Sequence, residues 1–193
     1  MGRWEEALAL HREGFAEDST GSFSCRLGEA LGALGRHEEA LGYLRRALRG
    51  HERELRADTA SLYNRLAVVE DRGRICRTLA VLGRSDAPAA CAGAARFADG
   101  IAVEPAHAWP RAFLAAAWSN MGEAFETMAG RPGIATSDRM GFRLAAVDRY
   151  RRSSETWSDL KGRGLVSPVD TGRVSAAAHA LARAEQLVPP DSP

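Results

Sequence analysis

Apolar side chains recur at helical spacing along most of the chain. Leu41, Leu44, Leu48 and Leu55 are separated by three, four and seven residues, which places them on one side of an α-helix. In the same segment acidic residues come early and arginines come late, the order that the helix dipole favours. Runs of β-branched residues are absent from the sequence. We therefore predict helices throughout and no strands.

Four Gly-Arg pairs divide this helical pattern into units. They begin at Gly2, Gly35, Gly83 and Gly130, at intervals of 33, 48 and 47 residues, and the first two open the heptads GRWEEAL and GRHEEAL. A recurring interval of this length indicates a repeated supersecondary unit, and such units bury their apolar faces by stacking. The pattern predicts a helical solenoid.

The segment LGEALGALGRHEEALGYLRRAL carries the most detailed signal. It combines small residues, where two helices would approach closely, with leucines that would fill the adjacent grooves. The positions concerned are Leu27-Gly28, Gly35, Ala40 and Ala47-Leu48. The segment resembles the tetratricopeptide repeat. The resemblance implies an all-α fold of antiparallel helical hairpins stacked into a right-handed superhelix. The longer later units resemble the long-helix arrays at the C-terminal end of bacterial multidomain signalling proteins.

On this interpretation the chain forms one solenoid domain over residues 1–188, with about eight helices. We predict a half repeat at 2–20, repeats at about 21–56, 58–105 and 107–163, a C-terminal capping helix at 168–188 and a disordered tail at 189–193. The predicted later helices run over 59–82, from Asp86 and Pro88 onward, over 109–129, over 139–161 and over 168–187. Asp58 is the expected N-cap of the first of these, and Ser167 to Asp170 resemble a capping box before the last.

Composition and charge narrow the classes of partner. A formal net charge of +1 gives no general attraction to nucleic acid or to an anionic membrane. No apolar run reaches the roughly 18 residues of a membrane span, and the N-terminus lacks the features of a signal peptide. Cys25, Cys76 and Cys91 show no paired spacing, so we expect three buried, unpaired side chains in a reducing, cytoplasmic compartment.

Residues with catalytic or metal-binding potential are scattered. The five histidines have no partners at metal-ligand spacing, and no nucleophile motif is present. We predict no enzymatic activity, no cofactor and no metal. Arginines cluster at 45–53 and at 149–152, where phosphate binding is one interpretation. Interleaved acids such as Glu52 and Glu54 favour a salt-bridged surface instead.

The expected binding surface is the concave face, which the first helix of each hairpin would line. Taking Leu27, Ile75 and Met121 as equivalent core positions, we predict that seven residues face a protein or peptide partner. These residues are Arg26, Glu29, Arg74, Arg77, Ser119, Asn120 and Glu123. A non-catalytic protein–protein interaction module is the leading hypothesis, with no nucleic acid and no membrane as partner.

Two other hypotheses stay open. In the first, the chain is the C-terminal regulatory array of a larger bacterial signalling enzyme, such as a protein kinase or nucleotide cyclase. In the second, it is a small-molecule sensor with a pocket between the tryptophan-bearing helices. On this interpretation we expect the first unit to have only its second helix. We therefore predict that Trp4, Leu8 and Phe15 are covered by another copy of the chain, by a partner or by upstream sequence. A homo-oligomer through this uncapped N-terminal helix would meet that need.

Overall fold

The protein is helical throughout the part of the chain that the structure describes. The computed structural model describes residues 5, 6, 8–10 and 21–188. The helices are α1 (Gly21–Ala33), α2 (His37–Ala57), α3 (Leu62–Val81), α4 (Ala87–Asp99), α5 (Ala108–Ala129), α6 (Thr136–Gly162) and α7 (Thr171–Gln186), with a 3-10 turn at Pro168–Asp170. Residues 5, 6 and 8–10 are also helical, and none of the described residues forms a strand. The all-α prediction of about eight helices is confirmed.

The helices pack as three successive hairpins followed by α7. Each helix from α1 to α7 contacts the next one in the chain, and α3 also packs along α5. Two of the hairpin turns are built alike. Gly35 and Gly83 have φ of 77° and 72°, and the N–H groups of Arg36 and Arg84 close the turns onto Leu31 and Leu79. Glycine adopts this left-handed backbone without strain, which explains the first two internal Gly-Arg pairs.

The third internal Gly-Arg pair has a different geometry from the first two. Gly130 has φ of −77°, and Gly133 is the glycine with positive φ in that loop. The longer breaker-rich loop therefore moves the left-handed residue three positions along the chain.

Two glycines allow the helices of a hairpin to touch. A Cβ placed on Gly28 would lie 2.6 Å from Leu44 Cγ, and one on Gly122 would lie 2.7 Å from Tyr150 Cδ1. Both separations are shorter than van der Waals contact, so only glycine fits here. The close approach expected at Leu27-Gly28 is present, and the equivalent pair Met121-Gly122 makes the same kind of contact in the third hairpin.

Three predicted helix starts and their capping need correction. Ser61, not Asp58, caps α3 by accepting the N–H of Asn64 at 3.2 Å, while Asp58 caps the preceding turn through the N–H groups of Ala60 and Ser61. Before α7, the Ser167 side chain caps no backbone N–H, and the predicted capping box is absent. The N–H of Asp170 bonds to Ser167 O, so this turn closes as a 3-10 turn and α7 begins at Thr171. Helix α6 begins at Thr136, three residues before the predicted start.

The helical period predicts that Leu144 of α6 and Ala178 of α7 lie on buried faces, and the structure corrects both predictions. Leu144 is 38 % exposed and Ala178 is exposed, whereas Tyr150, Ser153 and Ala177 are buried. The errors come from phase, because a shift of one residue rotates a helical position by about 100°.

Cys76 and Cys91 form a disulfide, which corrects the expectation of unpaired cysteines. The bond joins α3 to α4 across their hairpin, with the two Cα atoms 4.8 Å apart. All three cysteines are buried as predicted, and Cys25 remains free. The unpaired thiols were the reason for expecting a reducing compartment, and that reason no longer holds.

Leu8 has a covering surface within its own chain. It is 5 % exposed and packs with Leu27, Ala30 and Leu31 of α1 and with Ala40 of α2. The expectation that Leu8 needs an external partner is therefore wrong. Trp4, Phe15, most of the predicted half repeat and the predicted tail at 189–193 lie outside the described residues.

Candidate functional site

A groove of about 400 Å³ runs between the first helices of the three hairpins and α7. Its walls combine small side chains with charged and amide groups from helices that are distant in sequence. The lining residues of α1, α3, α5 and α7 are Gly28, Glu29, Gly32, Ala33, Glu70, Arg74, Arg77, Thr78, Val81, Ala116, Ser119, Asn120, Glu123, Arg173, Ala176, Ala177 and Ala180. Helices α2 and α6 add His37, Leu44, Tyr150 and Trp157.

Six of the seven residues proposed from the sequence lie in this groove. They come from α1 (Glu29), α3 (Arg74 and Arg77) and α5 (Ser119, Asn120 and Glu123). Arg26 is exposed and lies outside the groove, about one helical turn before Glu29. Stacking of the hairpins thus places residues up to 94 positions apart on one surface.

Arg74 is the central charged group of the groove floor. Its Nη2 lies 2.9 Å from Glu29 Oε2 on α1 and 3.0 Å from Glu70 Oε1 on its own helix. Its Nη1 donates a hydrogen bond to Cys25 Sγ. The side chain is 16 % exposed, so these three groups replace most of its hydration. Arg74 therefore joins the first hairpin to the second.

Arg77 forms a second cross-helix pair, nearer to solvent. Its Nε lies 2.6 Å from Glu123 Oε2 on α5, and both side chains are about half exposed. Exposed pairs of this kind contribute about 0.2–1 kcal/mol, because water competes for both partners. A bound partner can therefore replace either member of the pair at low cost.

Burial alters the titration of two groups around Arg74. It raises the pKa of the Glu70 carboxyl, an effect opposed by the charge of Arg74. It also raises the pKa of the Cys25 thiol well above its usual value, although Arg74 acts in the opposite direction. A thiol with a raised pKa stays protonated at neutral pH, so Cys25 is not an activated nucleophile.

Ser119 and Asn120 differ in their available hydrogen-bonding capacity. Ser119 Oγ is 2.9 Å from Ser153 Oγ on α6, so that hydroxyl already has a partner. The Asn120 side chain has no hydrogen-bond partner among the described residues and is half buried in the groove wall. Its amide offers two donors and one acceptor. Asn120 is therefore able to pair with a peptide group of a bound chain.

Helix α7 completes the groove, which sequence reasoning missed. Ala176, Ala177 and Ala180 form the wall, and Arg183 anchors the helix through two hydrogen bonds to Glu126 of α5, at 2.9 and 2.8 Å. Because α7 follows a complete hairpin, it occupies the place of the next first helix. Repeat order was the available signal, whereas the pattern of the segment itself predicts only a capping helix for the last hairpin.

The tryptophans contribute differently from one another. Trp157 is 1 % exposed and lines the bottom of the groove, whereas Trp109 is 47 % exposed and stacks on Tyr63 with ring centroids 5.9 Å apart. Trp118 is partly buried in the core. They do not enclose a common pocket. Among the described residues no group of three or more His, Cys, Asp and Glu side chains is arranged to hold a metal.

A family model described as tetratricopeptide repeat matches residues 25–58. The chain contains a tetratricopeptide repeat. The matched segment covers most of the α1–α2 hairpin, which carries Gly28, the Gly35 turn and Ala40. Tetratricopeptide repeats are in general protein–protein interaction modules. No curated protein and no solved structure matches the chain. Within the described residues, none of the helices is long and apolar enough to cross a bilayer.

Proposed function

We propose that this tetratricopeptide-repeat protein is a non-catalytic interaction module that binds a protein or peptide segment in the groove between α1, α3, α5 and α7. The observation that carries the proposal is the convergence of Glu29, Arg74, Arg77, Asn120 and Glu123 from three helices on one groove. The general role of the repeat family supports the choice of a protein partner.

The chemistry of the groove favours a segment that carries charges of both signs. Three arginines and three glutamates line it, and Arg74 is already satisfied by buried contacts. The exposed Arg77–Glu123 pair is the exchangeable part, so an incoming carboxylate and an incoming cation can each find an opposite charge. Asn120 supplies hydrogen bonds to the backbone of the partner.

The test uses a photo-crosslinking amino acid at position 120 in cells of the source organism. The matched control carries the same amino acid at position 96, an exposed site on α4. Cross-linked segments identified by mass spectrometry are then synthesised, and their Kd is measured by calorimetry for the wild type and for Asn120→Ala, Arg77→Glu and Arg96→Glu.

We expect cross-links from position 120 and none of the same sequence from position 96. Asn120→Ala and Arg77→Glu should each weaken binding at least about tenfold, and Arg96→Glu by less than about twofold. Arg74→Glu is unsuitable as a probe, since it would leave Glu29 and Glu70 without a counter-charge and unsettle the fold. Equal labelling from both positions contradicts the proposal. A groove of this volume is also large enough for a small molecule. A large thermal shift with a metabolite, together with no binding of any peptide, therefore also contradicts the proposal.

A further inference from the structure

A row of arginines follows the outer side of α2. Arg46, Arg49, Arg53 and Arg56 are three, four and three residues apart, and all four are exposed. This spacing keeps them on one side of the helix over about 15 Å. Leu44, which lines the groove, lies on the opposite side of α2, because Arg53 is about 180° from it around the helix. The row is therefore a surface separate from the groove.

Within the described residues, the neighbouring acids do not neutralise three arginines of this row, Arg49, Arg53 and Arg56. Glu52 Oε1 accepts a hydrogen bond from Arg72 of α3 at 2.9 Å. Glu54 points elsewhere, about 100° around the helix from Arg53. No ion pair joins Arg49, Arg53 or Arg56 to a carboxylate within the part of the chain that the structure describes. The sequence suggested a salt-bridged surface here, but Glu52 pairs with Arg72 of α3 and not with an arginine of this row.

The arginines also share a shallow depression of about 420 Å³, whose remaining lining residue is Glu52. A guanidinium group is planar and presents paired N–H donors that match both oxygens of a carboxylate. We propose that this face of α2 is a docking surface for an acidic segment of a partner protein, with carboxylates spaced about one helical turn apart.

The surroundings favour an acidic protein segment over other polyanions. None of the large exposed apolar residues in the described chain lies on α2, so the face has nothing to insert into a membrane. None of the exposed aromatic residues in the described chain lies on α2, so this helix offers nucleic-acid bases no stacking platform. The net charge of +1 gives no general attraction to polyanions, so recognition here depends on the local arginines.

The experiment measures fluorescence anisotropy of a labelled helical peptide of about 20 residues that carries glutamates at three- and four-residue spacings. A peptide with glutamine at the same positions is its control. The protein variants are Arg49→Glu/Arg53→Glu and a matched control, Arg96→Glu/Arg143→Glu, which changes net charge equally at positions without described ion pairs. Circular dichroism verifies that each variant is folded.

We expect saturable binding of the glutamate peptide that weakens with salt and falls at least about tenfold in Arg49→Glu/Arg53→Glu. The control variant should stay within about twofold of the wild type, and the glutamine peptide should not bind. Equal losses in both variants, binding of the glutamine peptide, or tighter binding of duplex DNA or anionic vesicles would overturn the proposal. Arg77→Glu should leave this binding unchanged, which separates the outcome from that of the groove.

Discussion

His51 and Asp71 form a buried ion pair between the first two hairpins. His51 Nδ1 lies 2.7 Å from Asp71 Oδ2, and the two side chains are 6 % and 0 % exposed. A Cβ on Gly21 would lie 2.6 Å from His51 Nε2, so the imidazole also packs closely against the start of α1. The pair thus lies where α1, α2 and α3 meet. It is the most deeply buried charged contact among the described residues.

The first prediction concerns the pH dependence of stability. Burial lowers the pKa of His51, but the hydrogen bond to Asp71 and its negative charge outweigh this, so the pKa is raised. A raised folded pKa gives stability that is fully present below the unfolded value, about 6.5, and is lost as pH rises through the folded pKa. We expect the free energy of unfolding, measured with urea, to fall from about pH 6 to pH 9 in the wild type.

Substitutions test whether His51, and not another histidine, causes this decline in stability with pH. His51→Gln should flatten the decline with pH, whereas His179→Gln, at an exposed site, should retain it. Asp71→Ala should cost about 3 kcal/mol at pH 6, because it leaves a buried charge without its partner. A wild-type curve that rises with pH over this range would contradict the assignment.

The second prediction concerns the helix contacts made by glycine. Gly28→Ala and Gly122→Ala should each lower the free energy of unfolding by about 1–3 kcal/mol, since the new methyl group overlaps Leu44 or Tyr150. Gly42→Ala is the control, because a Cβ there meets nothing within 4 Å. It should stabilise the protein by about 0.5–1 kcal/mol through helix propensity. Thermal and urea unfolding measure all three.

A double mutant tests whether the overlap is the cause. Leu44→Ala removes the atoms that the Gly28→Ala methyl group would meet. The combined variant should therefore lose less stability than the sum of the two single variants. An additive result would show that Gly28 acts through some other property.

Local pattern was sufficient for the helices and for most of the candidate site. Leu27-Gly28, the Gly35 turn and Ala40 define the first hairpin, and placing Ile75 and Met121 in the same position gave the groove residues on α3 and α5. The helical period carries that information, because equivalent positions of stacked hairpins face the same side. Arg26 lies about one helical turn before Glu29 and outside the groove lining, so its contact with a partner stays a prediction.

Contacts between particular residues of different helices could not be predicted from one sequence. His51 and Asp71 are 20 residues apart, and Cys76 and Cys91 are 15 apart on different helices. Each pair meets only after the length and rotation of two helices are fixed. An error of one residue in the predicted rotation of a helix is enough to place such a contact wrongly. Leu144 is an example, since it was expected to be buried and is exposed.

The third prediction concerns the anchorage of α7. The hydrogen bonds from Arg183, and a further one from Tyr150, lower the pKa of Glu126 against the effect of burial. The carboxylate therefore holds α7 at neutral pH, and this anchorage is lost as pH falls through the lowered pKa. Glu126→Gln should speed amide hydrogen exchange across Thr171–Gln186 by about fivefold at pH 7.

The matched variant for the anchorage is Glu185→Gln. Glu185 pairs with Arg151 at 3.0 Å, but both side chains are about half exposed, so water compensates for most of the loss. Exchange in α7 should change little in that variant. If both substitutions accelerate exchange equally, Glu126 has no special part in holding the helix.

The Cys76–Cys91 bond determines where the solenoid is able to flex. Helices α3 and α4 are covalently tied within the middle hairpin, so they cannot slide past each other or separate. A change in curvature then has to arise outside the α3–α4 hairpin, at its junctions with α2 and α5 or within the outer hairpins. The groove would open and close as two end segments hinged on a stiff central hairpin. Arg74 and Arg77 of α3 would stay fixed to that hairpin, while Glu29 and Glu123 would move relative to it.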